Sequence, residues 1–189
     1  MSRSYRIRIK EQEHRVLRAH DRVSTQLEVL EVLPADQMGE LIAQELQKRG
    51  FERKDGQLVR EDEGVVVSVD PRTGTVTVMA EASAEVELES TREGAAWDDV
   101  GPSSRSVRDS LRQQAKQEID RKADKKTTEL QSEVTDKLEK QLGDLRQELD
   151  QAVTRATAEA LKRKAASMGQ IKEMTEDEQT GSLTIVVEV

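Results

Sequence analysis

The sequence predicts an α+β fold: a small, mostly antiparallel sheet with one covering helix, and a long projecting helix or antiparallel helical hairpin. Three observations carry that reading. Short runs such as "SYRIRIK" and "VVVSV" alternate apolar and polar residues, as half-buried strands do. Residues 104–168 contain no proline and one glycine and are rich in good helix formers. Nearly the same turn, "DPRTGTVTV" from Asp70 and "DEQTGSLTI" from Asp177, stands on either side of that segment.

The elements follow in chain order. Tyr5, Ile7 and Ile9 share one strand face, and Arg6, Arg8 and Lys10 the other. "EQEHRVLRAHDR" reads as either a second strand or a short connection. "VSTQLEVL" alternates again and predicts a strand to about Leu33. Pro34 opens a helix, where its missing N–H costs little. Met38, Leu41, Ile42 and Leu46 lie on one face of that helix, Gly50 closes it, and Phe51 is expected to pack back on the core.

A meander comes next. "GQLVR" leads into an acidic turn at Glu61-Asp62-Glu63-Gly64, and "VVVSV" turns Val65, Val67 and Val69 inward. In "DPRTG", Pro71 presets φ, Gly74 can take a positive φ, and the Asp70 carboxylate can accept from the turn's own N–H groups. "TVTVMAEASAEVELE" returns as a long strand, with a register shift expected at Ala82-Ser83-Ala84. Residues 90–103 read as a linker. Trp97 in it is either a clamp over the sheet or an anchor for a partner.

The segment from Ser104 to Met168 carries one narrow apolar stripe from Val107 to Ala160. Its steps average about 3.8 residues, wider than the 3.5 of a left-handed coiled coil. The spacing tightens between Thr127 and Leu149, nearer a coiled-coil seam. Two shapes fit: one continuous helix of about 100 Å at 1.5 Å per residue, or a hairpin folded near Gly143-Asp144. A return of the last strand to the sheet favours the hairpin. That strand, around Leu183, Ile185 and Val187, is apolar on both faces at its centre, as an interior strand would be. The expected organisation is a sheet domain over 1–101, the helix or hairpin over 102–169, and a β-hairpin over 170–189 returning to the sheet.

Composition narrows the function. Charged residues make up 36% of the chain against a usual ~25%, and aromatics only 2%. The core is therefore expected to be small and aliphatic. Cysteine is absent, which removes disulfides, thiolate zinc sites and cysteine nucleophiles. No long apolar run predicts membrane insertion, and the polar, basic start predicts no signal peptide, so a cytoplasmic protein is expected. Net charge is −8, concentrated in residues 61–101, which disfavours nucleic acid as a partner. Arg6, Arg8 and Lys10 point more readily to an acidic protein surface.

Catalytic motifs do not emerge. No phosphate loop or nucleophile elbow occurs. His14 and His20 are six apart, not at helical metal-pair spacing, and read as exposed residues of a basic segment. Asp98-Asp99 and Glu61-Asp62-Glu63 could bind a cation or act as a carboxylate pair, and a metal-dependent enzyme with an acidic site near Asp98-Asp99 is the alternative from another class; adjacent acids more often belong to a solvated turn. No cofactor is expected, and the reading is non-enzymatic.

With this layout, and with "MGQIKEMTEDEQTGSLTIVVEV" at its end, the chain resembles the small accessory "X" components of bacterial FtsH ternary conflict systems. That resemblance implies a non-catalytic adaptor beside an AAA+ ATPase. It implies no functional residues. From the residues themselves, the expected partner-binding surface is the helical stripe Leu130, Val134, Leu138, Leu142, Leu145 and Leu149, with Trp97 as a further anchor. Self-assembly through the same helix, as a coiled-coil structural protein, is the alternative.

Overall fold

A computed structural model describes residues 4–97, 102–177 and 182–188. Its elements are β1 (Ser4–Gln26), α1 (Ala35–Gln47), β2 (Glu52–Lys54), β3 (Gln57–Asp62), β4 (Val65–Asp70), β5 (Thr75–Trp97), α2 (Ser104–Met168), β6 (Gln170–Asp177) and β7 (Ser182–Glu188). The fold is α+β. Five strands form one sheet in the order β1-β5-β4-β3-β2, and β6 and β7 form a second sheet of two strands. The chain divides into two compact units. The first is Met1–His20 with Glu81–Thr135, and the second is Asp21–Ala80 with Asp136–Val189.

In the first unit, β1 and β5 run as a two-stranded ribbon. Arg8 pairs with Glu93 and His14 with Glu87, so one strand ascends as the other descends. β1 is a single strand through the stretch that the sequence left open. Its odd-numbered residues face inward, as do the even-numbered residues of β5. That parity holds through Ala82 and Ala84, so the expected register shift does not occur; small alanines fill those inward positions without a bulge. Strand pairing also claims residues 90–97, which the sequence assigned to a linker.

Residues 104–135 of α2 lie on this ribbon. Ile7, Ala96 and Leu111 form one apolar cluster, with Ile9 and Val107 against it. Leu17, Leu88, Ile119 and Ala123 form another, joined by Val86 and Leu130. Between them along the strands the contacts are ionic. Arg112 reaches Glu11 at 2.9 Å, Arg15 bridges Glu13 and Asp120, and Glu118 takes Ser90 and Arg92. The wide spacing of the stripe now has a cause. Steps of four residues from Val107 to Ala123 drift around a 3.6-residue helix, and a two-stranded ribbon twists strongly beneath it.

In the second unit, α1 buries Met38, Leu41, Ile42, Ala43 and Leu46, and Phe51, Leu58, Val65, Val67, Val69, Val76 and Val78 are buried with them. Two-residue turns join β2 to β3 at Asp55-Gly56 and β3 to β4 at Glu63-Gly64. All four residues have positive φ, as type I′ turns require. The β4–β5 turn is built as its sequence suggests. The Asp70 carboxylate accepts from the Arg72 N–H at 2.9 Å, Gly74 has φ +70°, and its N–H donates to the Asp70 carbonyl. Those backbone donors hold the Asp70 carboxyl below its ordinary range. The matching turn after Asp177 lies at residues 178–181, outside the described residues.

Three expectations are corrected here. α2 is one continuous helix, not a hairpin. Gly143 costs it only ~1 kcal/mol, which burial of Leu138, Leu145 and Leu149 on either side outweighs. β1 ends at Gln26, so "VSTQLEVL" does not remain a strand to Leu33. β6 and β7 pair with each other and join no other strand among the described residues. With a neighbour on one side only, β7 is not an interior strand, and Val186 stays exposed.

Candidate functional site

The expected docking stripe lies mostly inside the chain. Val134 and Leu138 are each 2% exposed, Leu145 5% and Leu149 4%; Leu130 and Leu142 are partly buried. These side chains supply core, so the stripe is not a free surface for a partner. Helical periodicity finds an apolar face but cannot tell whether the same chain or another covers it.

The other face of α2 is open, and in the second unit it borders a groove. Leu41, Gln44, Glu45 and Lys48 of α1 form one wall, and α2 residues from Gly143 to Arg163 form the other, around about 1300 Å³. The lining is polar. Lys48 and Arg49 both bond to Glu45; burial pushes that carboxyl up, but the two cations outweigh it and hold it below its ordinary range. Glu159 pairs with Arg163. Arg146 and Arg155 also line the groove, both exposed. Beside this site, Arg60 grips Glu148 with two 2.8 Å bonds and lies 4.5 Å over the Phe51 ring. That carboxylate raises the Arg60 pKa further and ties β3 to α2.

On the first unit the solvent face of the ribbon has two signs. β1 presents Arg6, Arg8, Lys10 and Arg18, while β5 presents Glu81, Glu85, Glu87, Glu89 and Glu93. Lys10 bonds to Glu89 at 2.8 Å, which raises the amine's pKa and lowers the carboxyl's. So part of the basic strand meets an acidic surface of its own chain. His14 and His20 share this exposed face, and no group of three His, Asp or Glu able to hold a metal occurs among the described residues. Trp97 ends β5 with 53% of its surface exposed. Asp98 and Asp99 lie outside the described residues.

No described helix is long and apolar enough to cross a membrane. A family model for FtsH ternary system domain X5 matches residues 1–189. The chain belongs to that family. No curated protein and no solved structure matches it. For this X5 domain, membership supports the accessory-component identity that the layout suggested. The family's description names a system and no reaction, so the site is argued from this chain's own surface.

Proposed function

We propose that this X5 domain is a non-enzymatic adaptor that acts beside an FtsH-like AAA+ ATPase and docks on protein through the outward face of α2. The observation that carries this is the groove between α1 and α2. It is open and long, lined by charged and amide side chains, and far more polar than a small-molecule pocket, which is mostly apolar. Its exposed Arg146 and Arg155 suit carboxylate-bearing segments, because guanidinium binds carboxylate with paired hydrogen bonds. Docking here leaves the buried stripe intact, so partner binding does not compete with folding.

The test is a pull-down of an FtsH-like ATPase encoded beside this chain, using wild type and Arg146→Glu/Arg155→Glu. Wild type is expected to retain the ATPase and the variant to lose at least tenfold in affinity, with unchanged circular dichroism. Failure of wild type to bind would remove the adaptor reading. Equal binding by the variant would remove the groove.

A further inference from the structure

The first unit holds a second surface, independent of the groove. β4 pairs with β5 only from Thr75 to Ala80. Beyond that point, β5 from Glu81 to Trp97 has β1 on one edge and no strand on the other among the described residues. The hydrogen-bond pattern agrees. The Leu27 N–H donates to Gly74, so even-numbered residues of β5 turn their backbone groups toward β1. The odd-numbered residues turn theirs outward, and the Glu89 carbonyl is met there by the Lys122 ammonium of α2 at 2.7 Å.

An open edge is a template for another strand, and the residues along this one specify its chemistry. Those with outward backbone groups also carry the solvent-face side chains Glu81, Glu85, Glu87, Glu89 and Glu93. β1 shows what such a strand accepts: its Arg8 and Lys10 pair with Glu93 and Glu89. In the register set by Arg8–Glu93 and His14–Glu87, Glu85 stands opposite Val16 and Glu81 opposite His20, with Arg18 diagonal to both; unlike Glu89 and Glu93, neither carboxylate is held in an ion pair among the described residues. Trp97 lies on the same face at the far end, exposed, where an indole can stack on a cation.

We propose that the free edge of β5, from Glu81 to Trp97, binds an extended segment of a partner protein in which Lys or Arg alternates with apolar residues. The segment adds as a strand along that edge, within the first unit. Its backbone bonds to the odd-numbered residues of β5, displacing the Lys122 ammonium from the Glu89 carbonyl, and its cations lie beside Glu81 and Glu85.

The probe is a synthetic peptide of alternating Val and Lys, as long as the open edge, with a Val-Glu peptide as control. Trp97 is the chain's one tryptophan, so its fluorescence reports the edge directly. The Val-Lys peptide is expected to shift Trp97 emission and slow amide exchange over residues 81–97, and the Val-Glu peptide to do neither. Glu81→Lys/Glu85→Lys removes no ion pair found among the described residues and is expected to weaken the Val-Lys peptide about tenfold. Protection by neither peptide, equal protection by both, or protection confined to β1 would overturn the proposal. So would an edge already protected in the absence of peptide because a second copy of the chain occupies it, seen as concentration-dependent mass. Loss of ATPase binding to the groove leaves this result unaffected, so the two ideas fail separately.

Discussion

Leu138→Asp combined with Leu145→Asp is expected to unfold the chain, not merely to disable a docking surface. Leu138 is 2% exposed and Leu145 5%, and both sit among the buried residues of α2. Truncating a buried leucine to alanine costs about 2–5 kcal/mol. An aspartate adds a charge with no partner where water is excluded. Two such losses approach or exceed the 5–15 kcal/mol that holds a domain folded. Circular dichroism in dilute solution should therefore show loss of cooperative structure, and Leu138→Ala alone should lower the denaturant midpoint without changing the slope. Leu142→Asp, at a partly buried position, should cost distinctly less. Full retention of stability in the double variant would mean that α2 is not part of the core.

Two glycines on helices should respond to alanine with opposite signs. A Cβ on Gly39 would stand 2.6 Å from the Pro71 carbonyl oxygen and 3.2 Å from its carbon, both backbone atoms of the β4–β5 turn. α1 can rest on that turn only because residue 39 has no side chain. Gly39→Ala therefore trades a helix-propensity gain of ~1 kcal/mol for overpacking against backbone, which costs about 1–3 kcal/mol. A larger residue such as valine should cost more. Gly143 has nothing within 4 Å of a Cβ, so Gly143→Ala should stabilise by up to ~1 kcal/mol. Thermal or denaturant unfolding of the two variants checks both signs. A stabilising Gly39→Ala would contradict the close seating of α1 on the turn.

Much of the fold was legible because local chemistry decided it. The core face of α1, the inward valines of β4 and the Asp70 turn follow from periodicity and turn geometry, and all three are found in place. β1 was harder. Its inward residues Glu11, Glu13 and Arg15 break the apolar alternation, and their partners Arg112 and Asp120 lie on α2, far along the chain. The Asp55-Gly56 dipeptide is itself a hairpin signal, and the β2–β3 turn is built on it. For the candidate surfaces the limit is different. The stripe from Leu130 to Leu149 was found as a pattern, but its occupant is the chain itself. The open edge of β5 depends on where β4 stops pairing, which topology decides and composition does not. Trp97 reads from the sequence as either a clamp or an anchor, and it stands exposed at the end of β5 on the same face as the glutamates.

The apolar face of α2 belongs to the folded core, and only its polar face is left for partners. Amide hydrogen exchange on the isolated chain, at a dilution where no association occurs, tests this most directly. Slow exchange is expected around Ile119 and Leu138, comparable with Val67 and Val76 in the sheet, because all four are buried. Rapid exchange along α2 with a protected sheet would contradict it, and would return the leucine stripe to the surface as a site for a partner.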